Sequence, residues 1–226
     1  MYSVYVISAG RYDKLPFTKK QKESYIFCVK KGEKELYKNS GCENIFETGT
    51  LMQSRNAALD MAFSENKICV QLSDDLKKVT TNKNFSDKKQ VDLDNAIQDL
   101  VNQFVKVKNV YLMGVPPTSN DFFAKTKISK NTFCIGDMLF VKPNPLRFDT
   151  SLTLKEDYDY TLQHLHKYGN TFRYQKYLFE FEHYKNKGGA VDYRTEKEER
   201  KNIMILKSKW GDKVRLNPKR KNEILI

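Results

Sequence analysis

Four short runs in the first half of the chain are apolar on nearly consecutive positions: Val4 to Ser8, Ser24 to Val29, Lys67 to Leu72 and Val110 to Val115. A strand that is apolar on both of its sides is buried on both, as in a parallel sheet covered by helices. The segments between the runs support that reading. Thr50 to Ser64 places Met52, Leu59, Ala62 and Phe63 at helical spacing. Val91 to Val105 is amphipathic, with Leu93, Ile97, Leu100, Val101 and Phe104 on one face. Asn44 to Glu47 reads as a short further strand, Asn82 to Lys89 as a polar loop, and Pro116-Pro117 as the stop of the Val110 strand.

The second half changes character. Thr132 to Val141 and Tyr174 to Tyr184 read as long strands around one helix, Leu154 to Tyr168, which Gly169 is placed to end. The expected fold is α/β: a mixed Rossmann-type sheet flanked by helices. A length of 226 residues suits one such domain over 1–195, with a basic segment over 196–226 packed on it or extending from it.

No stretch approaches the roughly 20 apolar residues of a membrane span. The N-terminus reads as a strand, not a secretory leader. Cys28, Cys42, Cys69 and Cys134 are scattered with no Cys-x-x-Cys pair, and Cys28 and Cys69 fall inside strand-like runs. Buried reduced thiols and a cytoplasmic protein are expected.

The net charge of +12 is uneven. From Lys201 onward eight basic residues face only Asp212 and Glu223, so the last 26 residues hold half of the excess. A solvated tail and a polyanion-binding segment are both compatible with that. Lys207, Lys209, Trp210, Lys213, Arg215, Lys219 and Arg220 are the candidate nucleic-acid contacts, since cations serve phosphates and an aromatic ring serves bases. The other reading of Trp210, the only tryptophan, is an anchor holding the tail on the core.

Ligands of open α/β sheets collect beyond the carboxyl ends of the strands. Ser8-Ala9-Gly10-Arg11 and Ser73-Asp74-Asp75 stand at such ends. Adjacent carboxylates repel unless a cation or hydrogen-bond donors compensate. A divalent ion bridging to phosphate is one reading, and a helix or turn cap is the other. In LMQSRNAALDMAF, Arg55 is either a diphosphate-binding fork or a solvent-facing helix residue. Asp137 interrupts the apolar run FCIGDMLF, where a buried carboxylate must be paired or useful.

A first strand ending in a Ser/Gly/Arg turn, the SRNAAL helix and the strand ending in SDDL together resemble glycosyltransferases of the GT-A fold. LKEDYDYTLQHLHKYGNTFRY followed by HYKNKGGAV resembles the TET-associated and GREB-like branch, which includes enzymes that glycosylate hydroxymethylpyrimidines in DNA. The resemblance covers most of residues 1–195. It implies a UDP-sugar donor, with Mn²⁺ or Mg²⁺ on its diphosphate, and DNA containing 5-hydroxymethylcytosine as acceptor. The enzyme would then be a phage DNA-modifying transferase in the infected cell's cytoplasm.

The resemblance also implies roles for individual residues. Asp75 is the metal ligand, with His183 as a late second one. Ser8, Gly10, Arg11, Arg55, Asp74, Asp137, Gly188 and Gly189 contact the donor. Ser73 stands where the family often has an acidic residue. An acidic residue at the start of the helix near Leu154 deprotonates the acceptor. Glu156 and Asp157 are the candidates, with Asp159 behind them; the other reading of Asp159 is a solvated helix residue. Thr153-x-x-Glu156 also matches a capping box, which assigns Glu156 to structure and leaves Asp157 as the base. Two alternatives are a transferase with a protein or polysaccharide acceptor and an inactive nucleic-acid-binding relative. The resemblance implies glucose or arabinose as the transferred sugar.

Overall fold

The computed structural model describes residues 1–182 and 194–226. Eight strands form one mixed sheet: β1 (Tyr2–Ile7), β2 (Ile26–Lys30), β3 (Asn44–Thr48), β4 (Ile68–Ser73), β6 (Leu112–Gly114), β7 (Ile128–Lys130), β8 (Met138–Val141) and β9 (Phe172–Tyr174). Their order is β3-β2-β1-β4-β8-β6-β9-β7. The first four are mutually parallel; β8 is antiparallel to both β4 and β6, and β9 is parallel to β6. Strands β4, β6 and β9 therefore leave the sheet in the same direction. Beside this sheet, β5 (Leu76–Thr81) pairs antiparallel with β10 (Tyr177–Phe181). The helices are α1 (Lys19–Ser24), α2 (Lys34–Asn39), α3 (Leu51–Ser64), α4 (Leu93–Lys106), α5 (Glu156–Tyr168) and α6 (Glu196–Trp210).

The consecutive apolar positions have the expected cause. Val4, Val6, Phe27, Val29, Val70 and Leu72 face one core with Ile97, Leu100 and Phe104 of α4. Tyr5, Cys28 and Cys69 face the opposite one with Met52, Ala58, Leu59 and Ala62 of α3, and with Tyr160 of α5. Each fully buried side chain of this size contributes about 1.5–3 kcal/mol. All four cysteines are buried and free. Burial pushes the Cys28 and Cys134 thiols up to about 12, so they pack as apolar groups.

Two expected strands are shorter than their apolar runs. The segment 132–137 is not strand; only Met138–Val141 pairs, so Asp137 precedes the strand and is only partly buried. The expected strand over 174–184 is two pieces, β9 and β10, broken at Gln175, whose side chain bonds Thr126 and Ser129 of the neighbouring loop. The short helices α1 and α2 and the strand β5 carry no apolar period long enough to read.

The basic C-terminal segment opens with α6. Its Ile203 and Leu206, together with Val214 and Ile224, close a third core against Leu152 and Leu162. Among the described residues no helix is long and apolar enough to cross a membrane.

Candidate active site

β4 ends at Ser73, and β5 begins at Leu76. Asp74 and Asp75 therefore form a strand-to-strand turn, and the helix-cap reading is excluded. The Ser73 hydroxyl donates to Asp75 Oδ1 at 2.7 Å. Parallel register sets Ile7 of β1 beside Ser73, so the next residues of both strands meet. Ser8 Oγ donates to Asp74 Oδ2 and shares a 2.5 Å hydrogen bond with the Tyr37 hydroxyl. Arg11 Nη1 lies 2.5 Å from Asp74 Oδ1 and 3.7 Å from Asp75 Oδ2. A guanidinium thus supplies the compensating charge that two adjacent carboxylates require. Burial raises the Asp74 carboxyl above its ordinary range, while Arg11 and Ser8 pull it down.

Gly10 turns the chain with φ of +70° and donates its N–H to Glu33 at 3.0 Å. A cavity of about 430 Å³ opens beside this turn, lined by Gly10, Arg11, Lys14, Asp74, Asp75, Lys77 and Glu182 among others. The cleft is polar and of mixed charge, with Arg11, Lys14 and Lys77 set among Asp13, Asp74, Asp75 and Glu182. At the carboxyl end of central strands, such a lining suits a phosphorylated ligand that arrives with a cation. Both Asp74 oxygens are engaged by Ser8 and Arg11, whereas Asp75 Oδ2 has its nearest described donor at 3.7 Å. Asp75 can therefore present one carboxylate oxygen to a cation. Among the described residues no three His, Cys, Asp or Glu side chains converge as a metal set. The donor set fits an ion that takes its remaining ligands from bound phosphate and water, as Mg²⁺ does.

Arg55 is buried, which overturns the solvent-facing reading. Its fork is filled by protein acceptors: Nε donates to Glu156 at 3.2 Å, Nη1 to Gln71 at 3.0 Å and Nη2 to the Gly136 carbonyl at 2.9 Å. It lies outside the cavity lining, and it anchors the start of α5 instead. The capping box does not form. The N-cap is Lys155, in the left-handed region at φ of +61°, and it makes no side-chain cap bond. The Thr153 hydroxyl is turned away to Glu198. Glu156 keeps a structural partner all the same, in Arg55.

Asp157 follows directly. Its Oδ2 accepts from the Gly136 N–H at 3.0 Å and its Oδ1 from the Tyr158 N–H at 2.9 Å. Burial raises its carboxyl to about 7, and the Glu156 carboxylate adds to the rise. A carboxyl raised toward neutrality is a stronger base than an ordinary carboxylate, which suits it to take a proton from an acceptor hydroxyl. The two acidic regions are joined by backbone. Ser73 donates its N–H to the Asp137 carbonyl at 2.8 Å, and the adjacent Gly136 holds Asp157.

Asp159 is fully buried, contrary to the solvated reading, and accepts the Trp210 indole N–H at 2.7 Å and Lys209 at 2.9 Å. Lys209 also reaches Asp149 at 2.8 Å. Trp210 is thereby an anchor of the tail. Lys207, Lys213, Arg215 and Lys219 are exposed, and Arg220 pairs with Glu223 at 3.1 Å. His183, Gly188 and Gly189 lie outside the described residues.

The site draws on four residues that no sequence motif marked: Tyr37, Gln71, Lys14 and Glu182. Gln71 carried a signal, an amide in the otherwise apolar run ICVQL, and its Nε2 returns a bond to the Arg55 carbonyl at 2.9 Å. Tyr37 carried none, because its contact with Ser8 spans 29 positions.

Comparison with known proteins adds two findings. The family model for TET-associated glycosyltransferases matches residues 2–189. The crystal structure of A197 from STIV is similar in fold, with a TM-score of 0.50 and 12% sequence identity over 86% of this chain and 92% of that one. No curated protein sequence matches the chain.

Proposed function

Because the chain belongs to the TET-associated glycosyltransferase family, we propose that it moves a sugar from a UDP-sugar to the hydroxymethyl group of 5-hydroxymethylcytosine in DNA. The observation that carries this reading is the pairing of two acidic centres through one backbone link. On one side Asp74 and Asp75 border the cavity of mixed charge at the end of β4. On the other stands Asp157, whose raised carboxyl suits it as a base.

In this reading the diphosphate occupies the cavity beside Arg11, Lys14 and Lys77, and Asp74 with Ser8 holds the nucleoside or sugar hydroxyls. A Mn²⁺ or Mg²⁺ ion held by Asp75 would neutralise charge on the leaving diphosphate. Asp157 accepts the proton of the acceptor hydroxyl as its oxygen bonds the anomeric carbon, and the bond from that carbon to the diphosphate breaks with both electrons leaving on UDP. Arg55 and Glu156 act through Asp157, by fixing the helix start that carries it. A base within duplex DNA must leave the stack, or arrive single-stranded, before its hydroxymethyl group meets Asp157.

In the test, the protein is incubated with Mn²⁺, a panel of UDP-sugars and hydroxymethylated DNA, and the digested nucleosides are weighed. A mass gain of one sugar on hydroxymethylcytosine is the expected result, and no gain with any donor overturns the reading.

A further inference from the structure

The loop between β6 and β7 presents two phenyl rings to water. Phe122 and Phe123 are 62% and 68% exposed, in contact with each other edge to face at 5.1 Å. Exposed aromatics on a loop are commonly a sign of slack backbone, and here the backbone is tied down. Asn82, fully buried, donates to the carbonyls of Ala124 at 2.7 Å and Gln175 at 2.8 Å. Asp121, also buried, accepts the Lys83 N–H at 2.7 Å and the Lys88 ammonium at 2.6 Å. Gln175 further fastens Lys127 and Thr126 to the end of β9. Asp121 and the loop's carbonyls are thus tied inward, and the two phenyl rings are held outward.

The charge around the rings is one-sided. Residues 120–130 contain exposed Lys125, Lys127 and Lys130 against one acid, Asp121, which is buried and already paired with Lys88. Lys125 Nζ sits 4.3 Å from the centre of the Phe122 ring. Rigidly held aromatics interleaved with lysines are the physical pattern of a surface that stacks bases and neutralises phosphates. The place agrees, since the loop leaves β6 at the end of the sheet from which β4 delivers Asp74 and Asp75.

We infer that residues 120–130 form a nucleic-acid contact surface, with Phe122 and Phe123 taking bases and Lys125, Lys127 and Lys130 taking phosphates. The choice of DNA as the nucleic acid rests on the proposed function; the contact itself does not need the sugar transfer.

The experiment measures binding of fluorescent oligonucleotides of unmodified DNA, single-stranded and duplex, over a range of salt, with UDP binding and thermal melting as controls of folding. F122A/F123A should weaken DNA binding about tenfold or more and leave UDP binding unchanged, whereas F122Y/F123Y should bind like the parent. K125E/K127E/K130E should weaken binding and also flatten the salt dependence, by about 0.7–0.9 in slope for each phosphate no longer neutralised. The inference is overturned if F122A/F123A binds DNA like the parent, or if F122L/F123L does, because leucine keeps the apolar surface without a ring to stack. It is equally overturned if only charge reversal in the C-terminal segment removes binding, or if the loop variants lose anionic lipid vesicles and keep DNA. Loop-dependent DNA binding without any nucleoside mass gain would leave this surface standing and remove the transferase reading.

Discussion

Arg55 and Glu156 stand 101 positions apart and meet at 3.2 Å, with less than one-tenth of either side chain exposed. The pair joins α3 to the first residue of α5 beneath the end of β4, and so fixes where Asp157 stands.

Removing one partner of a buried pair strands the other without compensation. Arg55→Met should therefore cost about 3–5 kcal/mol in urea unfolding, and the double variant Arg55→Met/Glu156→Met should recover part of that loss. Additive losses would mean that the pair is not coupled.

Gly136 is needed for space. A Cβ there would lie 2.6 Å from Arg55 Nη2 and 3.4 Å from Glu156 Oε1. Arg55 cannot swing aside without giving up Gln71 and the Gly136 carbonyl. Gly136→Ala is expected to cost about 1–3 kcal/mol and to lower turnover more than donor affinity. Thermal melting and steady-state kinetics check both parts.

Asp157 gives the reaction its pH dependence. A carboxyl raised to about 7 is protonated below that pH and inactive as a base. Turnover should rise with pH through about 7 and level above it. Asp157→Asn should lower it by about 10²–10⁴-fold and leave UDP binding intact in calorimetry. Normal turnover in this variant would remove Asp157 from the mechanism.

Asp75 and Arg11 make separable contributions to the donor. Asp75→Ala should lose UDP binding in the presence of Mn²⁺ and become indifferent to a chelator. Arg11→Met should weaken UDP with or without the ion, because its guanidinium offsets the carboxylates directly. Equal chelator sensitivity in parent and Asp75→Ala would exclude Asp75 as the ligand.

His164 sets an acid limit on stability. It is fully buried, and burial lowers its pKa from 6.5 to about 4. The unfolded chain takes up a proton below pH 6.5 that the folded chain resists down to about 4, so stability contributed here is present above 6.5 and lost as pH falls through that window. The loss reaches about 3 kcal/mol for a shift from 6.5 to about 4. His164→Asn, which keeps a donor for the Tyr160 carbonyl, should flatten the difference in unfolding free energy between pH 7 and pH 4 relative to the parent.

Much of the scaffold was legible because burial writes a local pattern. Val4, Val6, Val70 and Leu72 are apolar because helices cover both sides of their strands, and Gly169 ends α5 because its φ of +73° suits a residue without a Cβ. The capping box at Thr153 misled for the same reason: its spacing is local, but the helix starts at a left-handed Lys155 and the hydroxyl goes to Glu198 on α6.

By itself the sequence determined the apolar strands, the long helices α3, α4 and α5, the free thiols and the presence of two carboxylates at the end of β4. Only the tertiary structure decided what each charge meets. Arg11 came to Asp74 and Asp75, Arg55 turned inward to Glu156, Trp210 was tied to Asp159, and Phe122 and Phe123 were left facing water. Periodicity records which side of an element is buried over a few residues. Partners separated by 51 to 101 positions depend on strand register and helix docking, and these are settled by packing over the whole chain.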